Sequence, residues 1–261
     1  MSLLDEPTNS FDAALQELGF RSSQLDLSLS AGQIVSLRRF LQDLSRYNEH
    51  TNLVARSDFL TLVKDHVTDS LSVASVITST GLARQQNLKV MDIGAGAGFP
   101  GIVLAVVLED LLLDLVDSVG KKTCFLNQVV QSLELSHRVS VHNARAEVLA
   151  RQSHFRAKFD LSTARAVGSL DLISELAVPF LRVGGKLIAQ KSTKQYAQEI
   201  EDSQYALSLL GAQVSGVYPL DRTILGKERV IVMIEKIKET PEQFPRSTAQ
   251  IARGSLSKRK V

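Results

Sequence analysis

The sequence predicts an α/β fold: a mostly parallel sheet of seven strands, helices on both faces, and a helical extension before it. Three features predict this. From residue 88 onward, short apolar runs alternate with helical segments, the pattern of a parallel sheet built from strand-helix units. The last two runs, 213–218 and 229–235, follow one another with no helix between them, so they close the sheet as an antiparallel hairpin. The first run, 89–93, leads into a turn with a glycine at every second position.

Residues 11–80 read as helices. Ile34, Leu37, Leu41 and Leu44, with Phe40 beside them, form an apolar stripe at spacings of three and four, and Ser30 stands where an N-cap is expected. Leu60, Val63, Val67, Leu71, Ala74 and Ile77 form a second stripe, entered through Ser57 and Asp58. Between the two, 47–53 reads as a polar connector. Strands follow at 89–93, 111–117, 139–142, 159–163 and 186–190, with helical segments at 101–108, 121–133, 170–181 and 193–210. Pro219, Asp221 and Gly226 mark the loop of the closing hairpin. The expected organisation is a helical region at 1–84 packed on a sheet domain at 85–238, then a basic, flexible tail at 239–261. That tail carries Arg246, Arg253, Lys258, Arg259 and Lys260 against Glu239 and Glu242, a balance suited to a polyanion.

Composition excludes several classes. A chain of 261 residues with 44% hydrophobic residues can fill a substantial core. Its one cysteine, Cys124, permits no intramolecular disulfide and fits a reducing compartment. The longest apolar run, 102–108, is far too short to cross a bilayer, and the start of the chain, with Asp5 and Glu6, lacks the form of a secretory signal. A cytoplasmic protein without membrane contact is expected. The net charge of +2 decides nothing by itself.

The turn Gly94-Ala95-Gly96-Ala97-Gly98-Phe99-Pro100-Gly101 follows the strand that holds Asp92. Ligands of open α/β sheets bind at the carboxyl ends of strands, where this turn lies. Gly94, Gly96 and Gly98 make the spacing G-x-G-x-G of methyltransferases; Gly96, Gly98 and Gly101 make the dinucleotide spacing G-x-G-x-x-G. Asp117, at the end of the next strand, is placed to accept both ribose hydroxyls of an adenosine, which suits either cofactor. Asp92, as a partner for a methionine amino group, and the terminal hairpin favour S-adenosylmethionine. Pro100 also favours it, since its ring would crowd a backbone cradling pyrophosphate.

The segment Asp92-Ile93-Gly94-Ala95-Gly96-Ala97-Gly98-Phe99-Pro100-Gly101-Ile102 resembles the signature D-[VI]-G-[TS]-G-x-G-[FL]-P-G-[IL] of the RsmG family, formerly GidB. Its members are bacterial small-subunit ribosomal RNA guanine-N7 methyltransferases. Further matches lie in order: Tyr47-Asn48 with Asn52-Leu53; His66 with Asp69-Ser70-Leu71; Asp117-Ser118 with Lys121-Lys122 and Phe125-Leu126; Thr163 and Arg165-Ala166 with Leu170. Asp65 and the length of the tail depart from the family pattern. The resemblance implies the class I methyltransferase fold, Rossmann-like with a terminal antiparallel hairpin. It implies cofactor contacts at Gly94, Phe99, Ala146, Glu147 and Arg165, beside the Asp92, Gly96, Gly98 and Asp117 read from the loop. It further implies one guanine in a loop of 16S rRNA as acceptor, in free RNA, the 30S subunit or an assembly intermediate. A monomer is expected.

The residue inventory suits that acceptor. No N/D-P-P-[YFW] follows the fourth strand, so the motif that positions exocyclic amines is absent. Cys124 reads as a buried helix residue and not as the thiol that pyrimidine C5 methylation needs. The five histidines show no metal-ligand spacing, and no metal is expected. Guanine N7 carries its own lone pair, so the reaction needs in-line placement and no dedicated general base. Arg165, Lys191 and Asn52 are the candidates for positioning. Two other readings remain open at this point: a non-catalytic RNA- or ribosome-binding protein that kept the fold, and an NAD-dependent oxidoreductase.

Overall fold

The computed structural model describes residues 8–55, 57–194 and 196–256. Seven strands form one sheet in the order β3-β2-β1-β4-β5-β7-β6. They are β1 (Leu88–Ile93), β2 (Leu111–Asp117), β3 (Val139–Asn143), β4 (Phe159–Arg165), β5 (Leu181–Ser192), β6 (Ala212–Leu220) and β7 (Arg229–Lys236). β1 to β5 pair in parallel, and β7 lies antiparallel between β5 and β6. The chain order reverses direction across the sheet between β1 and β4, which opens a crevice at their carboxyl ends.

Strands buried on both faces read as continuous apolar runs, and alternate residues serve opposite cores. Val90, Ile188 and Met233 enter one core; Met91, Leu187 and Val232 enter the other. The first core belongs to the sheet and the leading helices together. These are α1 (Thr8–Gln24), α2 (Ala31–Thr51), α3 (Phe59–Leu62) and α4 (Thr68–Ser79), joined by α5 (Gly101–Val107) and α6 (Gly120–Ser132). Ser30 caps α2 in a reciprocal box with Gln33, and Asp58 caps α3 by accepting from the Thr61 N–H. The opposite face carries α7 (Ala146–Leu149), α8 (Leu170–Ala177) and α9 (Tyr196–Leu210). No helix among the described residues is long and apolar enough to cross a membrane.

The structure differs from the sequence reading in several places. α2 continues through Thr51, so most of the expected connector at 47–53 is helix, with Asn48 folded back onto Val54 through two hydrogen bonds of 3.0 Å. A short helix, α10 (Arg222–Leu225), capped by Asp221, interrupts the closing hairpin. Cys124 is exposed on α6, since it falls between the inward positions Thr123 and Phe125. Residues 239–256 do not hang free. Thr240 and Phe244 are buried, and a last helix, α11 (Thr248–Ala252), lies beyond them. Arg156 donates to the Thr240 and Phe244 carbonyls, each at 2.8 Å, and Arg151 to that of Pro245 at 2.6 Å. Lys258, Arg259 and Lys260 of the expected basic tail lie outside the described residues.

Arg246 fixes this segment by a forked ion pair to Glu175 of α8, with Nε–Oε1 at 2.8 Å and Nη2–Oε2 at 2.7 Å. Glu175 is fully buried. Deleting one partner of such a pair strands the other charge, which costs about 3–5 kcal/mol. Arg246→Ala should lower unfolding stability by that amount in urea titration; a loss under about 1 kcal/mol, the scale of exposed pairs, would show that the segment is not anchored there.

Candidate active site

β1 ends at Ile93, and the chain turns through Gly94, Gly96 and Gly98 at φ of +67°, +59° and +92°, a region that disfavours side chains. Two carboxyls hold this turn. Asp92 accepts from Thr163 Oγ1, opposite it on β4, at 2.7 Å and from the Gly101 N–H at 3.1 Å. Asp117, at the end of β2, accepts from the Gly96 N–H at 3.0 Å and the Val119 N–H at 2.9 Å. The first N–H groups of a helix lack intrahelical acceptors, so Asp92 satisfies α5 from the neighbouring strand. A Cβ on Gly101 would lie 2.4 Å from Leu115 Cδ2 and 2.6 Å from Asp92 Oδ2, so glycine permits the close packing of α5 on the sheet. Gly96 differs: a Cβ there would meet only the Gly94 carbonyl oxygen, at 3.7 Å, which leaves open room over the loop.

Asp92 is 1% exposed, and burial pushes its carboxyl up to about 7 against the opposing pull of its two hydrogen bonds and of Arg165. Both its oxygens are turned into the protein. The structure therefore gives Asp92 a loop-holding position, with one protein partner on each oxygen. The reason is the start of α5, whose N–H needs an acceptor here. On the β2–β3 side, Asn143 Nδ2 and the Ala144 N–H both donate to the Asp117 carbonyl at 3.2 Å. Ala146 and Glu147, the first residues of α7, follow two residues after this tie. Glu147 Oε1 accepts from Thr248 Oγ1 of α11 at 2.6 Å, so its side chain engages the C-terminal segment.

On the β4–β5 side the loop ends at Phe99, a buried ring packed between α2 and the helical entry to α4. Its centroid lies 5.1 Å from that of Phe40 and 5.0 Å from that of His66. Arg165, at the end of β4, sits 5.3 Å over the Phe99 ring. Its guanidinium donates to Asp69 Oδ2 at 3.2 Å and to His66 Nδ1 at 3.1 Å. A guanidinium can only donate, so Nδ1 is the acceptor. Burial first, then Arg165 and Lys227, lower His66 to about 4, which leaves it neutral at neutral pH. His66 belongs to a π-helical turn, Val63–Val67, closed where the Thr68 hydroxyl and N–H both donate to the Val63 carbonyl. Such turns recur at functional sites.

A cavity of about 360 Å³ opens beside this cluster, walled by His66, Arg165, Lys191, Glu199 and Arg229. β7 runs antiparallel to β5, so its first residue, Arg229, meets Ser192 at this edge. The cavity unites Arg165 and Lys191 of the predicted positioning residues. Asn52 is not in its lining; it ends α2 in a left-handed conformation, φ 52°, and is exposed. A groove of about 450 Å³ between α2 and α6 holds none of the predicted residues. The sequence reading missed Thr163 as the partner of Asp92, and Glu199 and Arg229 as cavity walls. His66 and Asp69, three apart on one helical face, carried a signal in their spacing.

The profile described as GidB, rRNA small subunit methyltransferase G, matches residues 33–228. The chain is 34% identical to Ribosomal RNA small subunit methyltransferase G of Acetivibrio thermocellus, covering 90% of this chain and 94% of the relative. It is 39% identical to the protein of that name in Streptococcus thermophilus, with the same coverage, 90% and 94%. Among solved structures, the fold is similar to the [4+2]-cyclase SpnF, with TM-score 0.52, 11% identity, and coverage of 81% and 97%. It is also similar to the branched-chain polyamine synthase of Thermus thermophilus, with TM-score 0.54, 13% identity, and coverage of 78% and 64%. At these identities the two structures speak for the fold alone.

The raised Asp92 carboxyl has a consequence for stability. Its folded value lies above the ordinary 3.8, so protonation favours the fold. That stabilisation is full below pH 3.8 and is lost as pH rises to about 7. In urea titrations, wild type should lose ground to Asp92→Asn across this interval and hold a constant difference above it. A difference independent of pH would contradict the assignment.

Proposed function

Because the chain belongs to the family of ribosomal RNA small subunit methyltransferase G, we propose that it transfers a methyl group from S-adenosylmethionine to N7 of one guanine in a loop of 16S rRNA. The observation that carries the reading is the pairing of two sites across the β1–β4 crevice. On one side lies a glycine turn with open room above it; on the other lies a cavity at the ends of β4 and β5 lined by Arg165, Lys191, Lys227 and Arg229 together with their acidic partners Asp65, Asp69 and Glu199. The residues present fit the cofactor. The turn lets backbone approach a ligand closely, and in this reading Asp117 receives the ribose hydroxyls while Ala146 and Glu147 border the adenine.

S-adenosylmethionine supplies a sulfonium methyl group, whose C–S bond breaks to a neutral thioether as guanine N7 forms the new C–N bond. No proton leaves N7, so the protein needs no base; its contribution is placement. Gly94, Gly96 and Gly98 set the position of the methyl donor. Phe99 and Arg165 form the boundary between donor and acceptor sides, and the tie of Arg165 to Asp69 holds that boundary still. Lys191 faces the acceptor cavity. Asp92 acts through the loop it holds. A guanine flipped from an RNA loop can enter such a cavity. The reading extends to a cytoplasmic monomer acting on the small subunit or an assembly intermediate.

Small-subunit RNA from cells lacking the gene, treated with the protein and S-adenosylmethionine, should gain one borohydride-aniline cleavage site, diagnostic of N7-methylguanine. Gly96→Ala should weaken cofactor binding tenfold or more, because its methyl group enters the open room over the loop. Left-handed strain at one alanine costs only about 1–2 kcal/mol, so the variant should still fold. Absence of the cleavage site with wild-type protein would refute the reading.

A further inference from the structure

The acceptor cavity contains an ion pair with free hydrogen-bonding capacity on both members. Lys191, at the end of β5, places Nζ 2.5 Å from Oε2 of Glu199 in the first turn of α9. Their side chains are 10% and 24% exposed, and both line the cavity. Each is held from behind. Lys191 Nζ donates to the Gly168 carbonyl at 2.7 Å, and Glu199 Oε2 accepts from the Leu170 N–H at 3.0 Å. An ammonium has three N–H donors, and Gly168 and Glu199 account for two. Both partners of Glu199 fall on Oε2, which leaves Oε1 open among the described residues. The pair therefore keeps one donor and one acceptor unused on adjacent residues of the lining, held from behind by the loop after β4.

That pairing complements one edge of one base. Guanine carries O6, an acceptor, next to N1–H, a donor. Adenine reverses both, with an amino group at position 6 and a bare N1. We propose that Lys191 donates to O6 and Glu199 accepts from N1–H of the acceptor purine, and that this pair restricts transfer to guanine. The proposal rests on the methyltransferase reading above. O6 lies between N7 and N1 on the ring perimeter, so docking this edge on the pair leaves N7 free to face Phe99 and Arg165. Positive charge spreads over the purine as N7 gains its methyl group, and a carboxylate at N1–H opposes that charge where it develops. The volume of about 360 Å³ lies within the range of small-ligand clefts, about 300–1,000 Å³.

The test compares two ligated small-subunit RNAs, one with guanine and one with 2-aminopurine at the target position. The analogue keeps N7 and the 2-amino group but lacks O6 and N1–H. Wild type should prefer guanine in kcat/KM. Glu199→Met and Lys191→Met should each shrink that preference about tenfold or more, the scale of one lost base-edge contact, with cofactor affinity by calorimetry unchanged. A purely structural role for the pair would lower transfer to both RNAs in proportion, and an unchanged preference in the two variants would overturn the proposal. Failure of wild type to methylate the guanine RNA would overturn the reading beneath it, and the proposal with it.

Discussion

One buried carboxyl ties the active-site end of the molecule together. Asp92 sits in β1 with its oxygens on β4 through Thr163 and on α5 through Gly101. The turn between β1 and α5 carries three glycines in left-handed conformations, and glycine loses more backbone freedom on folding than any other residue, so the turn gains from fixed ends. Asp92 fixes the strand-to-helix span, and Asp117 fixes the middle of the turn through Gly96. Burying a carboxylate is costly unless it is well hydrogen-bonded, and here burial wins, so the group titrates near neutrality. A protonated carboxyl fills the same place at lower cost.

The leading helices belong to this site physically. Phe99 leaves the glycine turn and packs on Phe40 of α2 and His66 of the π-helical turn. Arg165 closes the cluster from β4 and reaches Asp69. Gln190, opposite Arg165 in the β4–β5 register, donates to the Asp69 carbonyl at 2.7 Å. Helices, glycine turn and strand ends thus form one contact network between donor and acceptor sides. The C-terminal segment joins it at the far edge through Thr248 and Glu147.

Most of the fold was legible because its signals are local. Strand-helix alternation, two apolar stripes and the cap Ser30 each lie within a few residues and recur in the structure, with Asp58 as the cap in place of Ser57 and a π-helical turn inside the second stripe. What escaped depends on contacts distant in sequence. Arg246 reads as one charge in a basic tail until Glu175, buried on another element, pairs with it. Asp92 reads from sequence as a ligand contact alone, and only the fold adds Thr163 and Gly101, one on each oxygen. Glu199 sits in an ordinary polar helix face, and only the fold brings it to Lys191. Asn52 ends α2 in a left-handed conformation outside the cavity lining, and a helix-ending asparagine looks the same in sequence as a functional amide.

The glycine turn satisfies two cofactor spacings, and the account depends on which molecule it holds. Titration calorimetry of the wild-type protein with S-adenosylmethionine and, separately, with NAD measures this directly. Saturable one-to-one binding of S-adenosylmethionine is expected, with no heat of binding for NAD. Saturable binding of NAD without binding of S-adenosylmethionine would contradict it.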